Sequence, residues 1–357
     1  MTRVIKETIQ KLVEGANLTA EESRQTITEI MRGQTTDAQT ASFLTALRLK
    51  GETVEELTAF AKVMRENCCL IKPKVHGRLV DTCGTGGDKL KTFNISTAAA
   101  FVVAGAGVSV AKHGNRSVTS KSGSADVLEK LGVNLNVEPQ AVEKVIEQVG
   151  IGFMFAPAFH PAMKYAIAPR KEIGIRTVFN LLGPLTNPAC ANAQLLGVYE
   201  SKLTLPLAYA LKSLGCEEAM VVYGVDGLDE ISTVGKTDIA WLREGEVATM
   251  ETAPHDFGVE QARIDVLQGA TPEENAQTLF RILNDCNVAD DYAKRDIVLV
   301  NAAAGIIVGG KAEDFGYGME VARNSIGSGA AYLKLKTFIK ASGGDLTLLE
   351  ELEKAYA

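Results

Sequence analysis

Leu79-Val80-Asp81-Thr82-Cys83-Gly84-Thr85-Gly86-Gly87-Asp88 opens on a short apolar run and closes on a turn with three glycines. An Ala-rich stretch from about Ser96 to Ala104 follows and reads as a helix. Strand, glycine turn and helix in that order present backbone N–H groups to a phosphate. The spacing fails two common templates. No Lys-Ser/Thr pair follows the glycines, so the turn is not a P-loop, and Lys89 stands where a dinucleotide fingerprint needs Gly. By itself the turn fits either plain tight-turn geometry or an anion cradle.

Downstream the strand–helix alternation continues. Val108-Ser109-Val110, Ile151 to Phe155, Leu195 to Tyr199 and Ala219 to Tyr223 read as strands between helices, which argues for a largely parallel sheet covered by helices. Residues 237–242 and 246–250 flank Arg243-Glu244-Gly245 and read as a hairpin. Thr271-Pro272-Glu273-Glu274 opens a helix, with Pro at its first position and a capping Glu.

Three further stretches carry chemistry. Thr92-Phe93-Asn94-Ile95-Ser96-Thr97 places hydroxyls and an amide at a helix start. One cap needs fewer polar groups than that, which favours contacts to an oxygen-rich ligand over plain N-caps. Lys112-His113-Gly114-Asn115-Arg116-Ser117-Val118-Thr119-Ser120-Lys121-Ser122-Gly123-Ser124 reads as a basic, hydroxyl-rich loop after a buried strand, which is phosphate-site chemistry. For His113 a structural hydrogen bond and a ligand contact stand equal. Asp226-Gly227-Leu228-Asp229-Glu230-Ile231-Ser232 sets two adjacent carboxylates in a turn. A lone acidic turn is usually just solvated, but beside two phosphate-type loops it suits Mg²⁺, which takes one or two carboxylates, waters and phosphate oxygens.

Upstream, residues 1 to about 67 read as four short helices. Thr19 with Glu22 and Thr53 with Glu56 form capping boxes, and Gly33 and Gly51 look like stops. Phe43, Leu44, Leu47 and Leu49 are expected on one face of the third helix. Lys72 to Gly77 is a breaker stretch and an expected hinge.

The chain's 357 residues suggest roughly two domains. A net charge of −7 argues against broad nucleic-acid binding. The most apolar run, Ala98 to Ala111, is too short to span a bilayer, and the N-terminus lacks the apolar core of a signal peptide. Six cysteines without zinc spacing read as reduced thiols, so a cytoplasmic protein is expected.

Gly84 to Asp88, Asn94 to Thr97, Lys112 to Arg116, Arg170 with Asn180-Leu181-Leu182-Gly183-Pro184-Leu185-Thr186-Asn187-Pro188, and Asp226 to Ser232 together resemble the anthranilate phosphoribosyltransferase family. The resemblance runs from about residue 3 to the C-terminus. Any one motif is modest, whereas all five in this order are highly specific.

The resemblance implies an α/β fold with a small N-terminal helical domain and a larger α/β domain whose central sheet is mostly parallel, an architecture shared with pyrimidine nucleoside phosphorylases. The helical domain would take residues 1–72, joined by about 161–186, and the α/β domain residues 73–160 and 187–357. Homodimers through the helical domain are implied, with anthranilate and phosphoribosyl pyrophosphate as substrates, and neither nucleic acid nor membrane as partner. Gly84, Gly87, Asp88, Thr92, Asn94, Ile95, Ser96 and Thr97 would cradle the pyrophosphate and ribose. Lys112, His113, Gly114, Asn115, Arg116, Ser117, Val118, Thr119, Ser120 and Ser124 would form the second phosphoribosyl-binding loop. Gly84, Asn115 and Arg170 would contact anthranilate. Two Mg²⁺ ions are implied, one on Ser96 and Glu230, the other on Asp229 and Glu230.

Two positions depart from the family pattern: Phe159 stands where His is frequent, and 233–237 differs from the usual Thr-Gly-Pro-Thr. A pyrimidine nucleoside phosphorylase-like enzyme and a non-catalytic nucleic-acid-binding relative are the rival readings. Arg170 and the acidic pair argue against the first, and the acidic net charge against the second.

Overall fold

The computed structural model describes residues 3–86, 90–117, 122–286 and 291–356. Four helices come first: α1 (Arg3–Val13), α2 (Ala20–Met31), α3 (Asp37–Lys50) and α4 (Val54–Glu66). The expected capping boxes form at Thr19/Glu22 and Thr53/Glu56, and a third opens α3 at Thr36/Gln39. Gly51 ends α3 with φ 88°, where a side chain would be strained. Phe43, Leu44 and Leu47 are fully buried, but Leu49 is 83% exposed. Two residues beyond Leu47 the helix has turned by about 200°, which carries Leu49 to the opposite face.

The α/β part begins with β1 (Leu79–Gly84), α5 (Ile95–Gly105), β2 (Ser109–Gly114), α6 (Ser124–Lys130), α7 (Pro139–Val149) and β3 (Ile151–Phe155). The chain then runs through α8 (Ala156–Phe159), α9 (Lys164–Ile173) and α10 (Val178–Leu185). Of these, α9 packs on α2 and α3, and α10 on α3 and α4. It returns through β4 (Ala193–Gly197), α11 (Thr204–Ser213), β5 (Glu218–Gly224), β6 (Thr237–Arg243) and β7 (Glu246–Thr252). It ends in α12 (Pro272–Leu283), α13 (Tyr292–Val308), α14 (Phe315–Gly327), α15 (Ala330–Ala341) and α16 (Thr347–Ala355).

The seven strands form one sheet in the order β3-β2-β1-β4-β5-β6-β7. The first five run parallel, and the β6–β7 hairpin is antiparallel at one edge. Successive strand residues face opposite sides, as the pleat requires. Leu195 and Val222 join the core formed with α5 and α13, while Leu196 and Val221 join the core shared with α11, α10 and α1 to α4. Arg65 at the end of α4 donates to the carbonyls of Leu185 at 2.9 Å and Leu214 at 3.3 Å, so one guanidinium closes the ends of three helices. The six cysteines are free thiols. No helix among the described residues is long and apolar enough to cross a membrane.

Candidate active site

In this strand order β1 pairs with β2 on one side and β4 on the other, so the topological switch lies between β1 and β4. Open α/β sheets bind ligands outside the carboxyl ends of the strands at such a point. The strand ends that meet here are Gly84 and Gly197, which are register partners. A Cβ on Gly84 would run into Asp229 Oδ2, and one on Gly197 into the Asp229 carbonyl. The acidic turn therefore lies directly on the glycine turn. Gly86 N–H closes the contact by donating to Asp229 Oδ2 at 3.0 Å.

The acidic turn is braced from inside. Asp226 accepts from Ser232 Oγ at 2.5 Å and from Leu228 N at 3.4 Å. Ser232 Oγ in turn accepts from Val234 N at 2.9 Å and Gly235 N at 3.1 Å. Asp226 thus shapes the turn, while Asp229 is half-buried and Glu230 is buried beneath it. Among the described residues no group of three or more His, Cys, Asp or Glu is placed to hold a metal ion.

The basic stretch begins inside the sheet, contrary to its reading as a loop. Lys112 and His113 belong to β2 and pair with Phe153 and Met154 of β3. Lys112 is only 4% exposed, and its ammonium donates to the Thr82 carbonyl and to Ser96 Oγ at 3.3 Å. Burial pushes its pKa down, opposed by the carboxylates of Asp81 and Glu230 around it. Two of the predicted metal-binding residues, Ser96 and Glu230, thus share the neighbourhood of one buried cation.

Asp81 is wholly buried and accepts from Asn187 Nδ2 at 2.8 Å and His113 N at 3.2 Å. Burial raises its carboxyl to about 6, against the pull of Lys112 and Asn187. Asn187 also donates to the Ala111 carbonyl at 2.8 Å, fastening the chain after α10 to both β1 and β2. The rings of His113 and His160 lie 5.0 Å apart. Burial pushes His113 down to about 3 and His160 down to about 4.

The second loop has a fixed neck. Asp126 Oδ2 accepts from Ser117 N at 3.0 Å and Gly123 N at 2.9 Å, holding both sides together. Arg116 bonds Asp126 at 3.1 Å and Glu129 at 2.8 Å, so its charge is already matched within the protein. Asn115 turns its side-chain oxygen to the N–H of Arg116 at 2.8 Å, and its carbonyl accepts from Ser124 Oγ at 3.4 Å. Gly114 leaves room for Ser124 Oγ, which a Cβ there would meet.

Asn94 sits at the N-cap of α5 but makes no side-chain cap. Its amide instead donates to the Ser122 carbonyl at 3.2 Å and accepts from Asn275 Nδ2 at 3.1 Å, tying the first cradle to the second loop and to α12. The backbone at Thr92 bridges to Gln268. Ile95 has its side chain in the core, and the buried Thr97 hydroxyl has no partner among the described residues. Of the expected site, Gly87, Asp88, Val118, Thr119 and Ser120 lie outside the described residues.

Arg170 stands apart on α9. Its guanidinium stacks over the Phe179 ring at 5.2 Å, and burial pushes its pKa down. Among the described residues no carboxylate pairs with it, and no hydrogen bond or ion pair joins it to the loops above. Its connection runs through α10, whose Gly183 carbonyl lies at His113.

Reading the sequence misses Asp126 and Asn275 and gives Asn187 no role beyond its motif, and it also misses Asn301, which bonds the backbone of Ile231. Of the residues missed, Asn301 has a visible signal: it is an amide inside the apolar run Val298 to Ala304.

Comparison with known proteins places these features in a family. A sequence family described as "Glycosyl transferase family, helical bundle domain" matches residues 6–68, and "Glycosyl transferase family, a/b domain" matches residues 76–332. The chain is 53% identical over 340 residues to an anthranilate phosphoribosyltransferase of Pelotomaculum thermopropionicum, covering 95% of this chain and 97% of that one. It is 52% identical over 337 residues to one from Acetivibrio thermocellus, covering 94% and 96%. Among solved structures, anthranilate phosphoribosyltransferase from Thermus thermophilus superposes with a TM-score of 0.87 at 39% identity, covering 94% of this chain and 99% of that one. The Saccharomyces cerevisiae enzyme in complex with PRPP and Mg gives 0.87 at 30% identity, covering 96% and 99%.

Proposed function

The chain belongs to the anthranilate phosphoribosyltransferase family, and from that premise we infer how its own residues divide the reaction. It transfers the 5-phosphoribosyl group of phosphoribosyl pyrophosphate to the amine of anthranilate, giving N-(5-phosphoribosyl)anthranilate and pyrophosphate in tryptophan biosynthesis. The observation that carries the assignment of roles is the seating of Asp229 on Gly84 and Gly86, with Lys112 buried against Ser96 beneath.

In the reaction the anthranilate nitrogen bonds to ribose C1 while the bond from C1 to pyrophosphate oxygen breaks and its electron pair leaves with the pyrophosphate. The nitrogen then gives up a proton to solvent water. Positive charge builds at C1, as in glycoside hydrolysis, and negative charge builds on the leaving group. Lys112 and the amides of the glycine turn are the groups of this chain that answer that negative charge. The aromatic amine is uncharged near neutral pH, so binding and orientation can suffice without a strong general base.

Two carboxylates and a hydroxyl, set beside a phosphate-type turn, are donors that fit Mg²⁺. Two ions are proposed, one on Ser96 and Glu230 and one on Asp229 and Glu230; when bound, they neutralise the pyrophosphate and make it a better leaving group. Arg170 grips the anthranilate carboxylate with its planar fork, together with Asn115 and Gly84. Gly84, Gly87, Asp88, Thr92, Asn94 to Thr97, Lys112 to Ser120 and Ser124 hold phosphoribosyl pyrophosphate.

The helical domain is proposed as residues 1–72 with about 161–186, in keeping with the packing of α9 and α10 on α2 to α4. A homodimer through that domain is proposed, its interface covering some of the exposed Val13, Leu49, Ile167 and Ile175. The free thiols fit a reducing compartment, the cytoplasm.

A coupled assay with anthranilate and phosphoribosyl pyrophosphate tests the reading. Product formation that requires Mg²⁺ is expected. Phosphorolysis of pyrimidine nucleosides without anthranilate transfer would overturn it.

A further inference from the structure

Asn301 lies in the middle of α13, wholly buried, in a stretch where every neighbour from Ile297 to Val308 is also buried. Its side chain makes three hydrogen bonds. Oδ1 accepts from Ile231 N at 2.9 Å, and Nδ2 donates to the Ile231 carbonyl at 2.9 Å and to the Ile297 carbonyl at 2.8 Å. The first two treat Ile231 as a neighbouring strand would, pairing its N–H and its C=O at once. Ile231 directly follows Asp229-Glu230.

The acidic turn is thus held at two places. Asp226 and Ser232 fix its curvature from within. Asn301 fixes where the whole turn sits relative to the rest of the protein. A buried amide deep in an apolar helix costs free energy unless all its polar atoms are paired, and here they are paired mainly to the turn.

The same helix also backs the opposite wall of the site. α13 packs on α5, the helix that starts at the Ser96 cradle, and on β4 and β5. At their crossing Gly305 lets Val103 approach so closely that a Cβ would lie 2.6 Å from it. One rigid element therefore sets the separation between Ser96, carried by α5, and Asp229 and Glu230, carried by the turn.

We propose that Asn301 is a positioning residue for the reaction: it holds the Asp229–Glu230 turn in register with Ser96 and so sets the geometry at which Mg²⁺ and pyrophosphate are received. This rests on the functional reading above, since it concerns the same site. Asn301 touches neither substrate nor ion, and its effect passes through the Ile231 backbone.

The test starts on the free wild-type enzyme, with amide hydrogen exchange resolved at residues 225–232. The Ile231 amide is expected to exchange as slowly as the core of α13. Rapid exchange there by local opening would overturn the proposal, whatever any variant does. The Asn301→Ser and Asn301→Asp variants follow, with Ser342→Ala as control; Ser342 Oγ is buried, donating to the Ile339 carbonyl at 2.9 Å and accepting from Asn134 N at 3.3 Å, and bonds neither the turn nor α5.

Both Asn301 variants should exchange faster at 225–232 without substrates. Each should need on the order of tenfold more Mg²⁺ for half-maximal rate, with the KM for anthranilate unchanged. The control should lose stability without shifting the Mg²⁺ requirement. Equal shifts in control and Asn301 variants would reduce Asn301 to a general stabilising residue and sink the proposal. A wild-type enzyme that makes no product from anthranilate would instead sink the functional reading.

Discussion

The proposed acceptor site rests on a single guanidinium. Arg170 is desolvated, stacked on Phe179 and matched by no carboxylate among the described residues, so its fork is available to a ligand. Arg170→Ala is expected to lower kcat/KM for anthranilate on the order of a hundredfold, the size of a lost charge-assisted pair, and to leave phosphoribosyl pyrophosphate affinity unchanged by calorimetry. Arg170→Lys should recover part of the loss, because charge returns without the planar fork. Anthranilate kinetics unaltered in the Ala variant would remove Arg170 from the acceptor site. Such a residue is legible in sequence only by the company of its motif, since nothing local distinguishes Arg170 from the neighbouring Lys171 or Arg176. Its desolvation arises from α9 and α10 folding back on the helical bundle, a long-range event. Leu49 shows the opposite failure: its hydrophobicity suggests burial, and the helical angle alone contradicts it.

Between residues and the whole stands the meeting of two turns. Gly197 carries no chemistry of its own, yet a Cβ there would strike the Asp229 carbonyl. Gly197→Ala should therefore displace the acidic turn. Overpacking of this kind costs about 1–3 kcal/mol, and the Mg²⁺ requirement should rise with it; a normal Mg²⁺ titration would show that the turn tolerates the shift. Asp229→Asn combined with Glu230→Gln removes the carboxylates while keeping shape, and Mg²⁺-dependent product formation should fall below detection. An active double variant would end the metal assignment. All three turns are legible in the sequence because each has a composition, whether glycines, hydroxyls with Lys and Arg, or paired acids. Their braces are not. Asp126 is one ordinary acidic residue in a helix's first turn, and only the folded neck shows it accepting from Ser117 and Gly123 together. Lys112 reads as a loop cation because charge seldom enters a strand interior, and its burial depends on the Thr82 carbonyl and Ser96 hydroxyl that the crossover from β1 brings beneath it.

At the scale of the molecule, alternating strands and helices already imply the parallel sheet, and the capping boxes imply the helical bundle. The return of the chain through α9 and α10 to that bundle follows from no local pattern and is expected only from family resemblance. His113 and His160 sit where this returning segment meets the sheet, one on β2 and the other just after α8. Both are held neutral by burial, at about 3 and about 4, whereas an unfolded chain takes up their protons near 6.5. Above pH 6.5 neither state is protonated and they contribute nothing. As pH falls below 6.5 the unfolded state binds protons that the fold refuses, so stability is lost until the folded values are reached. Asp81 works the other way: raised to about 6, it takes up a proton in the fold before an unfolded aspartate does, which favours the fold as pH drops from about 6 towards 3.8. At pH 5 each histidine costs roughly 2 kcal/mol and Asp81 offsets roughly 1, so unfolding by denaturant should show a net loss between pH 7 and pH 5. His160→Gln should flatten that dependence by about one histidine's share, and His113→Gln likewise. Equal stability of the wild type at the two pH values would mean that the pair is solvated in the native state, and that the seam between returning segment and sheet is open to water.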